Sequence, residues 1–327
     1  MQTRPLGATG LQVSPLGLGL AALGRPAYID LGRDRDLGPD RDVEALERRC
    51  HQVLDAAYAA GVRYLDAARS YGRAEEFLAS WLRARDLDPA EVTVGSKWGY
   101  TYVGDWRMDA DTHEVKDHSL PALTRQTAET RSLLGDHLDL YQIHSATLDS
   151  GVLEDRAVLD ELTRLRDQGL VIGLSTSGPA QPATIRRALE LTTTGKAPFG
   201  CVQATWNLLE PSAGPALAEA GSAGWGVIVK EAVANGRLTP HGRGPATDTL
   251  ARIAATHDVG PDAVALAAVL ANPWADVVLS GAVTPDQLES NLAAPQLELA
   301  PDELEELTPL AEPPEQYWQE RATLPWD

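Results

Sequence analysis

The chain has 327 residues, 43% hydrophobic and 23% charged, the balance of a globular protein with room for a sizeable core. Its 47 acidic and 28 basic residues leave a net charge of −19, which repels phosphate backbones and anionic lipid heads and argues against nucleic-acid or membrane-surface partners. The longest wholly apolar run, 263–271, is far short of the roughly 20 residues of a membrane helix, and Cys50 and Cys201 stand outside any CxxC or Cys/His cluster, so the expectation is a reducing, cytoplasmic setting with no disulfide framework and no metal site.

Residues 4–11 read as a short hairpin capping one end of the fold. Short apolar runs at 13–19, 63–67, 92–97, 138–143, 171–175, 201–205, 226–229 and 277–280 then read as strands, separated by helical stretches. Leu46, Cys50, Val53, Leu54 and Ala57 recur at the spacing of one buried helix face, as do Leu123, Thr127, Thr130 and Leu134, and Val158, Leu162 and Leu165. Gly61, Gly135 and Gly169 follow the last helical turns, where a left-handed cap favours glycine. Two long insertions, 25–42 and 99–119, follow the first and third strands, and 302–311 reads as an extra helix after the eighth unit. Eight strand–helix units with no break in composition predict a closed (β/α)8 TIM barrel, one domain over 1–327, with the hairpin cap and a C-terminal helix and tail.

Two tempting motifs fail. Gly17-Leu18-Gly19-Leu20-Ala21-Ala22 fits a dinucleotide fingerprint, but Gly24 and Pro26 break the helix that must open there, so the run reads as a tight first barrel strand. Gly195-Lys196 hints at a phosphate loop, but Glu190 replaces its first glycine and Ala197 its Ser/Thr.

Polar residues at strand ends carry the chemistry. Asp66, Lys97 and His144 stand at the carboxyl ends of the second, third and fourth strands, and Tyr71 lies on the loop just after Asp66. In a barrel these ends converge on one mouth, where active sites are built. Each residue alone has a bland reading as a turn cap, a solvated stem, a structural histidine or a loop aromatic. Their joint placement is what points to a site.

With these residues in order, the chain resembles the aldo-keto reductase family of NAD(P)H-dependent carbonyl reductases. The likeness covers nearly the whole chain. It rests on Leu6-Gly7-x-Thr9-Gly10-Leu11, on Asp66 through Tyr71-Gly72, on Ser96-Lys97-Trp98 and on Tyr141-Gln142-Ile143-His144. Gly173-Leu174-Ser175, Gln203 through Asn207, and Gly281-Ala282-x-Thr284-Pro285-x-Gln287-Leu288-x-x-Asn291 extend it. The resemblance implies a catalytic tetrad of Asp66, Tyr71, Lys97 and His144. Tyr71 would protonate the carbonyl oxygen during hydride transfer, Lys97 would lower the pKa of Tyr71, Asp66 would hold Lys97, and His144 would orient the carbonyl. Among cofactor contacts it implies Ser175 and Gln203 on the carboxamide, Trp206 stacked on the nicotinamide, Lys230 near the mouth, and Gly281, Thr284, Gln287 and Asn291 at the adenosine end. Departures include Ala67-Ala68-Arg69 after Asp66, Thr176 after Ser175, and Lys230-Glu231-Ala232 in place of Ser-Pro-Leu.

The resemblance implies NADPH, with NADH possible. No Lys or Arg lies between Ile253 and Glu320 to grip a 2′-phosphate, which predicts weak discrimination unless Arg237 or Arg243 reaches across. The expected partner is a small-molecule carbonyl substrate, in a pocket walled by Tyr100, Trp106 and Trp318 from the insertion and tail. Two other readings stay open: an NAD-dependent sugar or alcohol dehydrogenase, and a non-catalytic nucleotide-binding regulatory subunit.

Overall fold

A parallel strand whose two faces are both covered must sit between a filled interior and an outer helix, and eight such strands close on themselves. The structure, a computed structural model, describes residues 1–326. β1 (Arg4–Pro5) and β2 (Gln12–Val13) form an antiparallel hairpin. Then come β3 (Leu16–Gly19), β4 (Tyr64–Asp66) and β5 (Thr93–Trp98), a second hairpin of β6 (Tyr100–Tyr102) and β7 (Glu114–Lys116), and β8 (Leu138–Ala146). β9 (Val171–Thr176), β10 (Cys201–Thr205), β11 (Gly226–Lys230) and β12 (Val277–Ser280) complete the set. All barrel neighbours are parallel and follow chain order, β3-β4-β5-β8-β9-β10-β11-β12, with β12 pairing back to β3. The predicted strand over 13–19 divides at Ser14-Pro15, because proline has no N–H for a ladder; its first part belongs to the cap and its second to the barrel.

The helices are α1 (Arg33–Leu37), α2 (Val43–Ala59), α3 (Ala74–Ala84), α4 (Leu120–Leu134), α5 (Arg156–Asp167), α6 (Gln181–Thr193), α7 (Gly214–Ser222), α8 (Pro245–His257), α9 (Pro261–Leu270), α10 (Pro285–Asn291), α11 (Pro301–Leu307) and α12 (Pro314–Thr323). Asp42, Ser119 and Asp155 cap α2, α4 and α5 by accepting backbone N–H bonds. The face of α2 that packs inward is Leu46, Cys50, Val53, Leu54 and Ala57, as its spacing predicts. The first insertion holds α1, the third-strand insertion holds the β6–β7 hairpin, and the tail carries α12 beyond the expected extra helix α11. Among the described residues no single helix is long and apolar enough to cross a membrane.

The barrel floor explains why the chemistry sits at one end. Tyr64, Leu140, Cys201, Ile228 and Val277 fill the interior, and Leu6 and Val13 of the first hairpin plug it from below. The Tyr64 ring occupies the centre because two neighbours lack side chains. A Cβ on Gly17 would stand 2.8 Å from the ring, and one on Gly95 would collide with the hydroxyl. With the floor closed, polar residues one step further along each strand face the open mouth.

Candidate active site

Side chains alternate along a strand, so every second residue enters the barrel. Tyr64 and Asp66 of β4, Gly95 and Lys97 of β5, and Leu140, Gln142 and His144 of β8 share the inner face; so do Cys201, Gln203 and Thr205 of β10 and Ile228 and Lys230 of β11. Asp66 is 2% exposed and Lys97 fully buried, and their charged groups are hydrogen-bonded. Asp66 Oδ1 also accepts from the Tyr64 hydroxyl at 3.1 Å and from Gln203 Nε2 at 2.9 Å. Lys97 Nζ donates further to the Ala67 carbonyl at 3.0 Å and to the Tyr71 hydroxyl oxygen at 3.3 Å. Those three bonds use all three ammonium hydrogens. The Tyr71 hydrogen is therefore not spent on Lys97.

Tyr71 and His144 stand at the cavity wall, each 8% exposed, with ring centroids 5.4 Å apart and planes nearly perpendicular. His144 Nδ1 lies 3.3 Å from the Ser70 hydroxyl. Burial, then repulsion from Lys97, Lys230 and Arg25, holds the His144 pKa well below its ordinary value, so the ring is neutral at pH 7. When Ser70 donates to Nδ1, the proton of that neutral ring is on Nε2. Burial lowers the Lys97 pKa, opposed by Asp66.

Tyr71 departs from expectation. Lys97 was expected to depress its pKa; instead burial, followed by the Asp66 carboxylate, drives it well above the ordinary tyrosine value. Desolvation of the phenolate and the Asp66 carboxylate outweigh the lowering by the Arg25 guanidinium. Tyr71 keeps its proton at neutral pH.

The mouth opens into a cavity of about 960 Å³, near the top of the roughly 300–1,000 Å³ range of ligand sites. It runs from Tyr71, His144 and Tyr100 past Lys230 to Gly281, Thr284, Gln287 and Asn291. Lys230 Nζ donates to Thr205 Oγ1 at 2.7 Å, and burial pulls its pKa down to about 8 against the attraction of Glu231. At the far end Thr284 caps α10 through the Gln287 N–H. Asn291 is held by Ser280 and Asp262. A nicotinamide dinucleotide fits this donor set on two observations. Gln203 Oε1 is a buried acceptor without a partner among the described residues, suited to a carboxamide N–H, and a Cβ on Gly281 would project into open space on the cavity wall. Gln203, Lys230, Gly281 and Thr284 would hold it.

Several expected contacts lie elsewhere. Ser175 is buried inside, but its hydroxyl accepts the Ser145 N–H at 2.8 Å and does not line the cavity. Trp206 follows Gln203 by three, so it leaves β10 on the outer side; it packs on Trp274 at 5.8 Å between centroids and cannot stack in the cavity. Trp106 donates from its indole to the Arg41 carbonyl and meets Phe77 edge-on, anchoring its loop to α3 rather than walling the pocket. Trp318, on α12, meets Tyr317 edge-on and donates towards Glu210, and it does not line the cavity. Arg237 is bound to Glu312 and Glu320, and Arg243 is exposed; neither lines the cavity.

Residues of the first insertion and the last turn take the vacated roles. Arg25, Tyr28 and Trp326 line the cavity beside Tyr71 and Tyr100. The Arg25 guanidinium lies over Tyr28, Tyr71 and Trp326, 5.0–5.5 Å from each ring centroid, and pairs with Glu114 at 3.0 Å. Trp326 stacks flat on His113 at 4.3 Å and bridges to Ile29. The length of the first insertion was the one sequence signal for Arg25 and Tyr28.

A family model for the aldo/keto reductases matches residues 15–312, nine-tenths of the chain. The chain belongs to the aldo-keto reductase family. This aldo-keto reductase is 28% identical to an uncharacterized oxidoreductase, YqkF of Bacillus subtilis, over 184 residues, 55% of this chain and 50% of that one. The match thus spans half the length of that relative. It is 28% identical to a "probable aryl-alcohol dehydrogenase", AAD4 of Saccharomyces cerevisiae, over 80% of this chain and 87% of that one. Among solved structures, an aldo-keto reductase from Pseudomonas aeruginosa superposes with a TM-score of 0.65 at 28% identity, covering 90% of this chain and 94% of that one.

Proposed function

We propose that this aldo-keto reductase, a single barrel domain over 1–327, reduces the carbonyl group of a small aldehyde or ketone to an alcohol with Tyr71 as general acid. The observation that carries the reading is the direction of the Lys97–Tyr71 hydrogen bond. Lys97 donates into the phenol oxygen, so the phenol hydrogen remains for a carbonyl oxygen in the cavity. A bound nicotinamide dinucleotide supplies the hydride to the carbonyl carbon. Tyr71 releases its proton to the oxygen as negative charge develops there. Lys97 lies against the phenolate that remains, and Asp66, held by Tyr64 and Gln203, keeps Lys97 in place. Neutral His144 offers its Nε2 proton to the same oxygen and orients it. Gln203 Oε1 would accept from the carboxamide, and Lys230 would meet negative charge on the dinucleotide.

Tyr28, Tyr100 and Trp326 around the reacting end favour a flat, apolar or aromatic carbonyl compound, which agrees with the name of the yeast relative. The test is nicotinamide consumption by the purified protein with a panel of aromatic and aliphatic aldehydes and ketones. Carbonyl-dependent consumption, fastest with the aromatic members, is expected. Tight dinucleotide binding with no consumption across the panel overturns the reading and favours a binding-only role.

A further inference from the structure

Gln287 stands at the adenosine end of the cavity, where a residue could contact the cofactor directly. Both ends of its amide bond the protein. Oε1 accepts the Val283 N–H at 2.9 Å, and Nε2 donates to Asp36 Oδ2 at 2.6 Å. Asp36 comes from α1 in the first insertion, 251 positions earlier in the chain. His241 Nε2, from the loop after β11, lies 3.2 Å from the same carboxylate oxygen. Two groups from separate elements, helix α10 and the loop after β11, thus hold the Asp36 carboxylate, which is 18% exposed and lines the cavity. Both act on Oδ2. Oδ1 has no partner among the described residues.

A carboxylate oxygen is an acceptor only. It can take a hydrogen bond from a ribose hydroxyl, a donor. A phosphate dianion offers it no donor and carries like charge. The same choice separates the two dinucleotides in open-sheet enzymes, where an acidic side chain takes the 2′-hydroxyl and an arginine accommodates the 2′-phosphate. Here the segment after β12 has no cation, with Val283 and Gln287 at the positions open to one. Arg237 is committed to Glu312 and Glu320. Asp286, next to Gln287 in sequence, adds a further carboxylate to the cavity wall. Two guanidiniums oppose this arrangement, and one of them, Arg35, lies 2.8 Å from His241 Nδ1 beside Asp36. Arg49 of α2 lines the cavity and has no ion-pair partner among the described residues.

We propose that Asp36 is the residue that selects NADH over NADPH, accepting a hydrogen bond from the adenosine ribose 2′-hydroxyl and repelling a 2′-phosphate. Gln287 and His241 are positioning residues that fix its carboxylate. The assignment rests on the reading that the cavity binds a nicotinamide dinucleotide, and the experiment separates the two.

NADH and NADPH are titrated separately into the full chain, with binding read by tryptophan quenching and by calorimetry at matched ionic strength. Wild type is expected to bind NADH at least about tenfold more tightly, the scale of one charge-assisted hydrogen bond. Asp36→Asn, which keeps the shape and removes the charge, is expected to shrink that ratio about tenfold. Asp36→Arg is expected to reverse it. Thermal melts establish that each variant is folded, and Asp36→Asn decides the matter if Asp36→Arg is not. A wild-type preference for NADPH, or a ratio unchanged within twofold in Asp36→Asn, overturns the assignment. If wild type prefers NADPH and Arg49→Gln abolishes that preference, Arg49 is the reader and Asp36 is not. If wild type binds neither dinucleotide, the nicotinamide reading itself falls and the assignment with it.

Discussion

Removing the Lys97 ammonium while keeping its stem, by Lys97→Met, isolates the most desolvated charge pair of the mouth. Lys97 is fully buried, and its three donors go to Asp66, Ala67 and Tyr71. In the variant the Asp66 carboxylate stays buried with two neutral donors, Tyr64 and Gln203, both on Oδ1, and Oδ2 loses its cation. Breaking a buried pair from one side costs about 3–5 kcal/mol, because a charge is left without compensation. Asp66→Asn on top of Lys97→Met removes that charge and should recover at least about 2 kcal/mol of the loss. Activity should not follow stability. Without the ammonium the departing proton leaves an unstabilised phenolate, and kcat should fall by about 10²–10³ in both variants, the scale of a lost charge-stabilising donor. Urea unfolding followed by tryptophan fluorescence, at unchanged slope, measures the first quantity. A cost below about 1 kcal/mol for Lys97→Met, or a double variant no more stable than the single, refutes the reasoning.

Asp30, at the cavity wall, is pushed up to about 7, chiefly by burial. A carboxylate whose folded pKa is raised adds stability below its unfolded pKa and loses it as pH rises through the folded one. Asp30→Asn should therefore gain about 1–3 kcal/mol over wild type between pH 5 and 8.5; urea midpoints that do not diverge with pH contradict this. Lys230, held near 8, should lose its charge as pH rises through that value. Affinity for the anionic dinucleotide should then decline above pH 8 in wild type and not in Lys230→Met, as read by calorimetry. Trp206→Leu should cost about 1–2 kcal/mol through its contact with Trp274 and leave cofactor affinity intact; a fivefold weaker dissociation constant would restore Trp206 to the site.

The meeting of Asp66, Tyr71, Lys97 and His144 was legible because strand ends in a barrel converge and polar side chains there have no packing reason to exist. Asp66, Lys97 and His144 needed only strand order and alternation to be brought together. The same alternation, applied from Gln203, already turns Trp206 outward, so that misplacement was avoidable. Trp106 and Trp318 were not decidable in advance, since an aromatic identity says nothing of which way a loop points. The direction of the Tyr71 pKa was not legible, because sequence names nearby charges but not the burial that dominates them. Asp36 carried no local signal at all. Its meeting with Gln287 depends on how the first insertion folds across the cavity, a contact that neither motif nor periodicity encodes.

The central claim is that the Tyr71 hydroxyl delivers the proton. Tyr71→Phe keeps the ring against His144 and Arg25 and removes the oxygen to which Lys97 donates. Single-turnover consumption of bound reduced nicotinamide, with the best aldehyde of the panel, measures the step directly. The account predicts a rate about 10²–10⁴-fold lower with the cofactor dissociation constant unchanged within about threefold. A variant that keeps more than about a tenth of the wild-type rate would contradict it.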